Sequence, residues 1–153
     1  MRLLAIDPGV KGALAILDTD TGVLEVMDMP VVAGAVEPVQ LAAIFFVWRP
    51  DRAIIEKVAS RPGQGVASVF SFGASYGAAL GVIAALKIPL ARVSPSTWKA
   101  HHGLSADKEK SRAMAIATWP GEFERFKRKM DEGRAEAALL ALYLDHQIKA
   151  NRL

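Results

Sequence analysis

The first strand of this chain ends on a carboxylate. Residues 3–18 read LLAIDPGVKGALAILD, in which Asp7 and a turn at Pro8 and Gly9 separate two apolar runs. This pattern predicts a β-hairpin whose first strand is buried. A charged side chain at the end of a buried strand costs free energy unless a counter-charge, a hydrogen-bond donor or a metal ion compensates it. Asp7 therefore either caps the Pro-Gly turn or meets a partner from elsewhere in the chain.

The remaining periodicity predicts a single α/β domain over residues 1–153. Strands are expected at residues 2–8, 12–18, 22–30, 52–57 and 88–95. Helices are expected at residues 38–49, 66–86, 95–103, 105–119 and 134–149, with Ser94 and Ser105 as N-caps of the third and fourth. This order predicts a mixed five-stranded central sheet flanked by helices, in which the first three strands are antiparallel.

The composition narrows the class of protein. The chain contains no cysteine, which excludes disulfides and thiolate metal ligands and fits a cytoplasmic location. We recognise no signal peptide and no unbroken apolar run of membrane-spanning length, so no membrane association is expected. Residues 1–86 carry 6 basic and 8 acidic side chains, whereas residues 87–153 carry 13 and 8. The basic clusters at 107–112 and 125–129 fit either nucleic-acid binding or a solvated helix face.

Other acidic side chains fall where they can join Asp7. Glu56 ends the short apolar run RAIIE, which is typical of a central strand. If the two strands are neighbours, Asp7 and Glu56 repel each other unless a divalent cation neutralises them. Asp131, Glu132 and Glu136 surround the start of the last helix, and such all-oxygen ligands suit Mg²⁺ or Mn²⁺. The alternatives are a buried arginine for Glu56 and a favourable helix dipole for the late acids.

Five segments then carry a family resemblance over nearly the whole chain. They read, in order, LLAIDPGVKGALAIL, AIIEKV, GQGVASVFSFGASYGAALGVIAAL, VSPSTWKAHHGLSADKEKSRAMA and DEGRAEAALLALY. Together they resemble the RuvC-like Holliday-junction resolvases of phage and prophage type, in the RNase H-like superfamily. The resemblance implies an RNase H-like fold and a metal-dependent endonuclease. Such an enzyme cuts four-way DNA junctions symmetrically and leaves 5′-phosphate and 3′-hydroxyl ends.

The resemblance also implies roles for individual residues. Two Mg²⁺ or Mn²⁺ ions per site would be held by Asp7, Glu56, Asp131 and Glu136, with Glu132 as the alternative to Asp131. Without ions, these carboxylates should repel one another and leave the site weakly ordered. Lys110 is expected to stabilise charge on the scissile phosphate, or else to pair with Asp107 on its own helix. The residues expected to bind DNA are Lys99, Lys108, Arg112, Arg61, Lys127 and Arg128.

The sequence departs from the family pattern at two positions. The typical bacterial enzyme spaces its last two acids by three residues, but the residue three before Glu136 is Gly133. The aromatic residue expected three positions after the second acid is replaced by Ala59. This loss favours a broader nuclease that acts on flaps or forks, and a protein that binds branched DNA without cutting it is a further alternative. An actin-like ATP-binding fold also begins with Asp-x-Gly, but it needs more residues than this chain has.

Symmetric cutting implies a homodimer. Gly73, Gly77 and Gly81 form one side of the helix over 66–86, which fits either the dimer surface or burial against the protein's own sheet.

The remaining aromatic side chains receive ordinary structural interpretations. Trp98 and Trp119 are expected in the core rather than stacked on bases. His101 and His102 are expected to point apart and, with His146, to lie on the surface without a role in metal binding.

Overall fold

The computed structural model describes residues 1–57, 63 and 65–153, with Lys108 described by its backbone alone. The strands are β1 Arg2–Asp7, β2 Ala13–Asp18, β3 Leu24–Asp28, β4 Val31–Val32, β5 Ala35–Val36, β6 Arg52–Glu56 and β7 Leu90–Val93. The helices are α1 Pro38–Trp48, α2 Val66–Ala85, α3 Pro95–His101, α4 Lys108–Thr118, α5 Phe123–Phe126 and α6 Glu132–Lys149.

Five strands form one sheet in the order β3-β2-β1-β6-β7, and β4 and β5 form a small separate hairpin. The pairs β1–β2 and β2–β3 are antiparallel, whereas β1–β6 and β6–β7 are parallel. This confirms the mixed sheet with three antiparallel strands at its start. The apolar runs of β1 and β6 are buried, as expected for strands covered on both faces.

The sheet separates two apolar layers because successive side chains of a strand point to opposite faces. Leu3 and Ala5 pack in the layer that contains α6, and Leu4 and Ile6 pack in the layer that contains α1 and α2. The sheet-facing side of α6 is rich in alanine, which allows the helix to lie directly on β1 and β2. This close packing brings the first turn of α6 to the end of β1 where Asp7 lies.

One helix N-cap was predicted correctly and one was wrong. Ser94 caps α3, because its hydroxyl accepts the backbone N–H of Thr97 at 3.2 Å. The cap of α4 is Asp107 rather than Ser105, since the Asp107 carboxylate accepts the backbone N–H of Glu109 at 3.0 Å. The Ser105 hydroxyl instead accepts the N–H of Asp107 at 3.2 Å. The segment before α4 is therefore a turn, and the helix starts three residues later than expected.

Helix α2 buries one side and exposes the other. Its buried residues are Ser75, Ala79, Val82 and Ile83. A Cβ added at Gly73, Gly77 or Gly81 would meet open space, so the glycine side does not pack on the protein's own sheet. The same exposed side begins with Val66 and Phe70, which are 87% and 78% exposed.

Within the described part of the chain, α2 is also the one helix whose length and apolar composition would allow it to cross a membrane. A core helix of a soluble protein meets the same two criteria, so this observation is weak. The expectation of no membrane association stays a prediction.

Candidate active site

Asp7 and Glu56 end two neighbouring parallel strands. Ile6 of β1 is paired with Ile55 of β6, and each acid is the next residue of its strand. Both side chains are half-buried at the same edge of the sheet. The strand register therefore brings together the two acids that the sequence separates by 49 positions.

The first turn of α6 lies against the Asp7 side chain. A Cβ added at Gly133 would come within 3.0 Å of the Lys11 carbonyl oxygen and 3.4 Å of Asp7 Oδ2. A side chain at position 133 would therefore crowd Asp7 and the turn that follows β1. The absence of a side chain at Gly133 therefore allows the first turn of α6 to lie directly on this turn.

Asp7, Glu132 and Glu136 line one cavity of about 530 Å³, which we call the acidic cleft. Its walls include Lys11 and, from α2, Phe72. Glu132 and Glu136 are half-buried and stand on one face of α6, as their four-residue spacing predicts.

Glu136 is held by two groups from other helices. Lys99 Nζ of α3 lies 2.7 Å from Glu136 Oε1, and the two side chains are 16% and 12% exposed. The Ser111 hydroxyl of α4, which is fully buried, donates to the same oxygen at 3.4 Å. Glu136 is thus oriented from two sides, and Lys99 compensates its charge.

Glu56 is held by a tryptophan. Trp98 is fully buried, and its indole N–H donates to Glu56 Oε2 at 2.7 Å. The core position expected for Trp98 is correct, but sequence reasoning missed this hydrogen bond. Successive residues of α3, Trp98 and Lys99, therefore orient one carboxylate each.

Asp131 has different partners from the other acids. Its carboxylate accepts hydrogen bonds from the Arg128 backbone N–H at 2.9 Å and from Arg128 Nη2 at 2.8 Å, and Arg134 Nη1 lies 3.8 Å away. Burial raises the pKa of Asp131, but the hydrogen bonds and charge of Arg128 outweigh it and leave the pKa lowered. Asp131 lines a neighbouring cavity with Arg128 and Asp28 rather than the acidic cleft. The structure thus favours Glu132, the second choice of the sequence, as the partner of Asp7 and Glu136.

Helix geometry explains why Glu132, rather than Asp131, shares a face of α6 with Glu136. Residues 132 and 136 are separated by about 40° around the helix axis, whereas residues 131 and 136 are separated by about 140°. Asp131 also precedes α6 and belongs to a short 3₁₀ turn, in which it binds back to Arg128. The four-residue spacing of Glu132 and Glu136 is the sequence signal that places both on this face of α6.

Among the described residues, several of the expected DNA-binding side chains have intramolecular partners. Lys99 is engaged with Glu136, as described above. Arg112 is drawn inward, where its guanidinium donates to the backbone oxygens of Phe126 at 3.0 Å and Lys127 at 2.5 Å. The Lys127 side chain is paired with Glu124. Arg112 therefore ties α4 to the segment after α5.

Other basic candidates remain exposed. Arg128 is 52% exposed although it binds Asp131. Lys110 is exposed in the first turn of α4, and among the described residues it forms no ion pair with Asp107. Lys129, which belongs to the basic cluster 125–129, is exposed and lines the cavity that contains Asp131. Sequence reasoning missed one further exposed lysine, Lys11, which lines both cavities. Its sequence signal was its position four residues after Asp7. Arg61, Ala59 and the Lys108 side chain lie outside the described residues.

The histidine prediction was wrong on one point. The rings of His101 and His102 do not point apart, since their centroids are 5.0 Å from each other. His101 Nε2 lies 3.0 Å from His146 Nδ1.

Asp7, Glu132 and Glu136 of the acidic cleft, together with Glu56, offer carboxylate oxygens, and the described lining of the cleft contains no cysteine or histidine. Hard divalent cations such as Mg²⁺ and Mn²⁺ prefer this donor set. Asp7, Glu56, Glu132 and Glu136 are half-buried rather than fully enclosed. The residues present therefore fit such ions.

Comparisons with known proteins give a structural likeness but no sequence match. No protein-family model matches the chain, and no curated protein matches it. The chain is similar to T. thermophilus RuvC in complex with a Holliday junction substrate, with a TM-score of 0.72 at 16% identity over 99% of this chain and 97% of that one. It is also similar to a Thermus thermophilus RuvC structure, with a TM-score of 0.68 at 19% identity over 99% and 98%.

A third similar structure is the yeast mitochondrial Holliday junction resolvase Ydc2, with a TM-score of 0.56 at 16% identity over 99% of this chain and 83% of that one. The RuvC-like fold expected from the sequence is thereby confirmed. At these identities the likeness establishes the fold alone.

Proposed function

We propose that this protein is a metal-dependent endonuclease that cuts four-way DNA junctions by hydrolysing phosphodiester bonds. The observation that carries the proposal is the convergence of Asp7, Glu132 and Glu136 in one cleft, with Glu56 on the strand beside Asp7. The likeness to a RuvC bound to a Holliday junction supports the choice of substrate. The expected products are nicks with 5′-phosphate and 3′-hydroxyl ends, formed in the cytoplasm.

The metal ligands in this proposal are Asp7, Glu56, Glu132 and Glu136. Asp131 is the weaker candidate because Arg128 already satisfies its carboxylate. Two Mg²⁺ or Mn²⁺ ions, when bound, would supply an activated water and stabilise the leaving 3′ oxygen. Trp98 and Lys99 would hold Glu56 and Glu136 in position before the substrate arrives.

The basic residues then divide into three groups. Lys99 acts on Glu136 together with the Ser111 hydroxyl and is a positioning residue. Lys11, Lys110, Lys129 and Arg128 are exposed and are proposed to hold phosphates, with Lys110 stabilising charge on the scissile phosphate. Arg112 and Lys127 are proposed to be structural, given their intramolecular partners.

We also propose a homodimer that buries the glycine side of α2. Exposed Val66 and Phe70 lie on this side together with Gly73, Gly77 and Gly81. Small residues allow two helices to approach closely, and contact would remove large apolar side chains from water. A two-fold axis through this surface would supply two cleavage sites for two symmetric cuts.

The test is cleavage of a labelled four-way junction by purified protein in Mg²⁺, in Mn²⁺ and in EDTA, with matched duplex, fork and flap substrates. Selective cleavage of the junction supports the proposal. Equal cleavage of forks and flaps would instead indicate a nuclease with broader specificity for branched DNA. This is the alternative that the replacement of the expected aromatic residue by Ala59 favours. Binding of the junction without cleavage in either Mg²⁺ or Mn²⁺ would indicate a protein that binds branched DNA but does not cut it.

A matched pair of variants tests the ligand choice. Glu132→Gln and Asp131→Asn each remove one charge at adjacent positions while preserving side-chain size. We expect Glu132→Gln to lower the cleavage rate at least about 100-fold, as Asp7→Asn should, with junction binding in EDTA retained. Asp131→Asn should cleave within a few-fold of the wild type at a temperature where it is folded. The reverse order of effects would reinstate Asp131 as the ligand.

A further inference from the structure

All three histidines of the chain converge on one place. His101 and His102 close α3, and His146 lies in the last turn of α6. One ring nitrogen from each lies within 4.8 Å of the other two. None of the three lines the acidic cleft.

The ring nitrogens of His101 and His146 lie close to the separation of two nitrogens bound to one metal ion. His101 Nε2 and His146 Nδ1 are 3.0 Å apart. Two nitrogens bound at about 2.0–2.1 Å to a tetrahedral Zn²⁺ are about 3.3 Å apart, so a small opening of this pair would admit an ion. In neutral rings one of these nitrogens must donate to the other, and a change of tautomer would turn both lone pairs inward.

His102 has the backbone partner that orients many metal-binding histidines. Its Nε2 lies 2.9 Å from the carbonyl oxygen of Leu139, which can only accept, so Nε2 carries the hydrogen. Nδ1 is then left with the lone pair, and ring orientation is fixed by the α6 backbone. Burial, as the largest cause, lowers the pKa of both His102 and His146.

We propose that His101, His102 and His146 form a site for one late transition-metal ion, with Zn²⁺ as its occupant and solvent at the fourth position. Imidazole nitrogens select Zn²⁺, Cu²⁺ or Ni²⁺ over Mg²⁺, whereas the carboxylates of the acidic cleft favour Mg²⁺. The two sites therefore take different classes of ion. The histidine site does not depend on the nuclease proposal.

The bound ion would join the end of α3 to the last turn of α6. The same two helices carry Lys99 and Glu136, which are paired at 2.7 Å. Fixing the two helices together would restrict how far Lys99 can separate from Glu136. The site is thus a structural cross-link rather than a reacting centre.

The test uses the untagged, full-length protein after dialysis against a chelator, titrated with Zn²⁺ by calorimetry and with Co²⁺ by visible absorption. We expect one ion per chain, a Co²⁺ spectrum of nitrogen-rich tetrahedral type, and no displacement by millimolar Mg²⁺. His146→Ala should weaken Zn²⁺ binding at least about 100-fold, since it removes one of three ligands. His146 is exposed, so this variant should retain the fold.

Two further measurements make the result decisive. Glu132→Gln removes a carboxylate of the acidic cleft and should bind Zn²⁺ at the histidines with unchanged affinity. Zn²⁺ should raise the melting temperature of the wild type and of Glu132→Gln but not of His146→Ala. Zn²⁺ binding that His146→Ala leaves intact and Glu132→Gln abolishes would place the ion in the cleft and overturn the proposal. A Kd weaker than about 1 mM for the wild type would overturn it as well.

Discussion

Replacement of Lys99 by methionine separates its expected role as a DNA contact from its observed contact with Glu136. Methionine keeps most of the aliphatic stem but removes the ammonium group. If Lys99 serves chiefly to hold Glu136, the variant should lose stability in the absence of metal ions. If it serves chiefly to bind phosphate, stability should be unchanged and DNA affinity should fall.

The size of the stability loss follows from burial. The Lys99 and Glu136 side chains are 16% and 12% exposed, so the pair is largely removed from water. Removal of one partner from a fully buried ion pair costs about 3–5 kcal/mol. The remaining exposure reduces this to about 2–3 kcal/mol, which corresponds to a decrease of about 5–10 °C in melting temperature for a domain of this size.

The assay is urea unfolding followed by circular dichroism, first in EDTA and then in millimolar Mg²⁺. Binding of Mg²⁺ at the carboxylates should compensate the charge of Glu136, so the deficit should shrink when the ion is present. The double variant Lys99→Met/Glu136→Gln is the control and should be more stable in EDTA than Lys99→Met alone. Equal stability of wild type and Lys99→Met in EDTA would refute the reasoning.

Three further predictions concern the turn after β1, acid stability and assembly. Gly12→Ala should destabilise the fold by at least about 2 kcal/mol in urea unfolding, because its Cβ would lie 2.0 Å from the Asp7 carbonyl oxygen. The comparison is Gly121→Ala, where an added Cβ would meet nothing within 4 Å. The pKa of Asp131 is lowered from its ordinary value of 3.8. The folding stability that its ionised carboxylate contributes is therefore fully present above pH 3.8 and is lost as the pH falls through the lower pKa of the folded state. Asp131→Asn should consequently flatten the acid limb of a plot of stability against pH. Phe70→Glu should shift the mass measured by light scattering from dimer to monomer, and an unchanged mass would exclude the proposed α2 surface.

The adjacency of Asp7 and Glu56 was predictable because two simple rules agree at that point. Each acid follows a short apolar run, and short apolar runs become central strands in a sheet covered on both faces. Two parallel neighbours then bring their final residues to the same edge. The strand pairing Ile6–Ile55 realises this arrangement.

The groups that orient the acids were not predictable in the same way. Trp98 and Lys99 are consecutive, 42 and 37 positions from Glu56 and Glu136, respectively. No local pattern distinguishes a core tryptophan with a satisfied indole from one that donates to a carboxylate. Such contacts depend on how α3 packs on the sheet, which is a tertiary property.

The carboxylates of Asp7, Glu56, Glu132 and Glu136 consequently repel one another less strongly than four uncompensated charges would. Four carboxylates without counter-charges should push one another apart, which was the expectation for the metal-free site. Lys99 offsets one of these charges, and the Trp98 indole stabilises a second by a charge-assisted hydrogen bond. Glu136 and Glu56 are thereby each held by a side chain of α3 before any ion binds, and Glu136 is held by Ser111 of α4 as well. These contacts reduce the rearrangement that Glu56 and Glu136 would need in order to bind divalent cations, and a displacement of α3 would disturb both carboxylates at once.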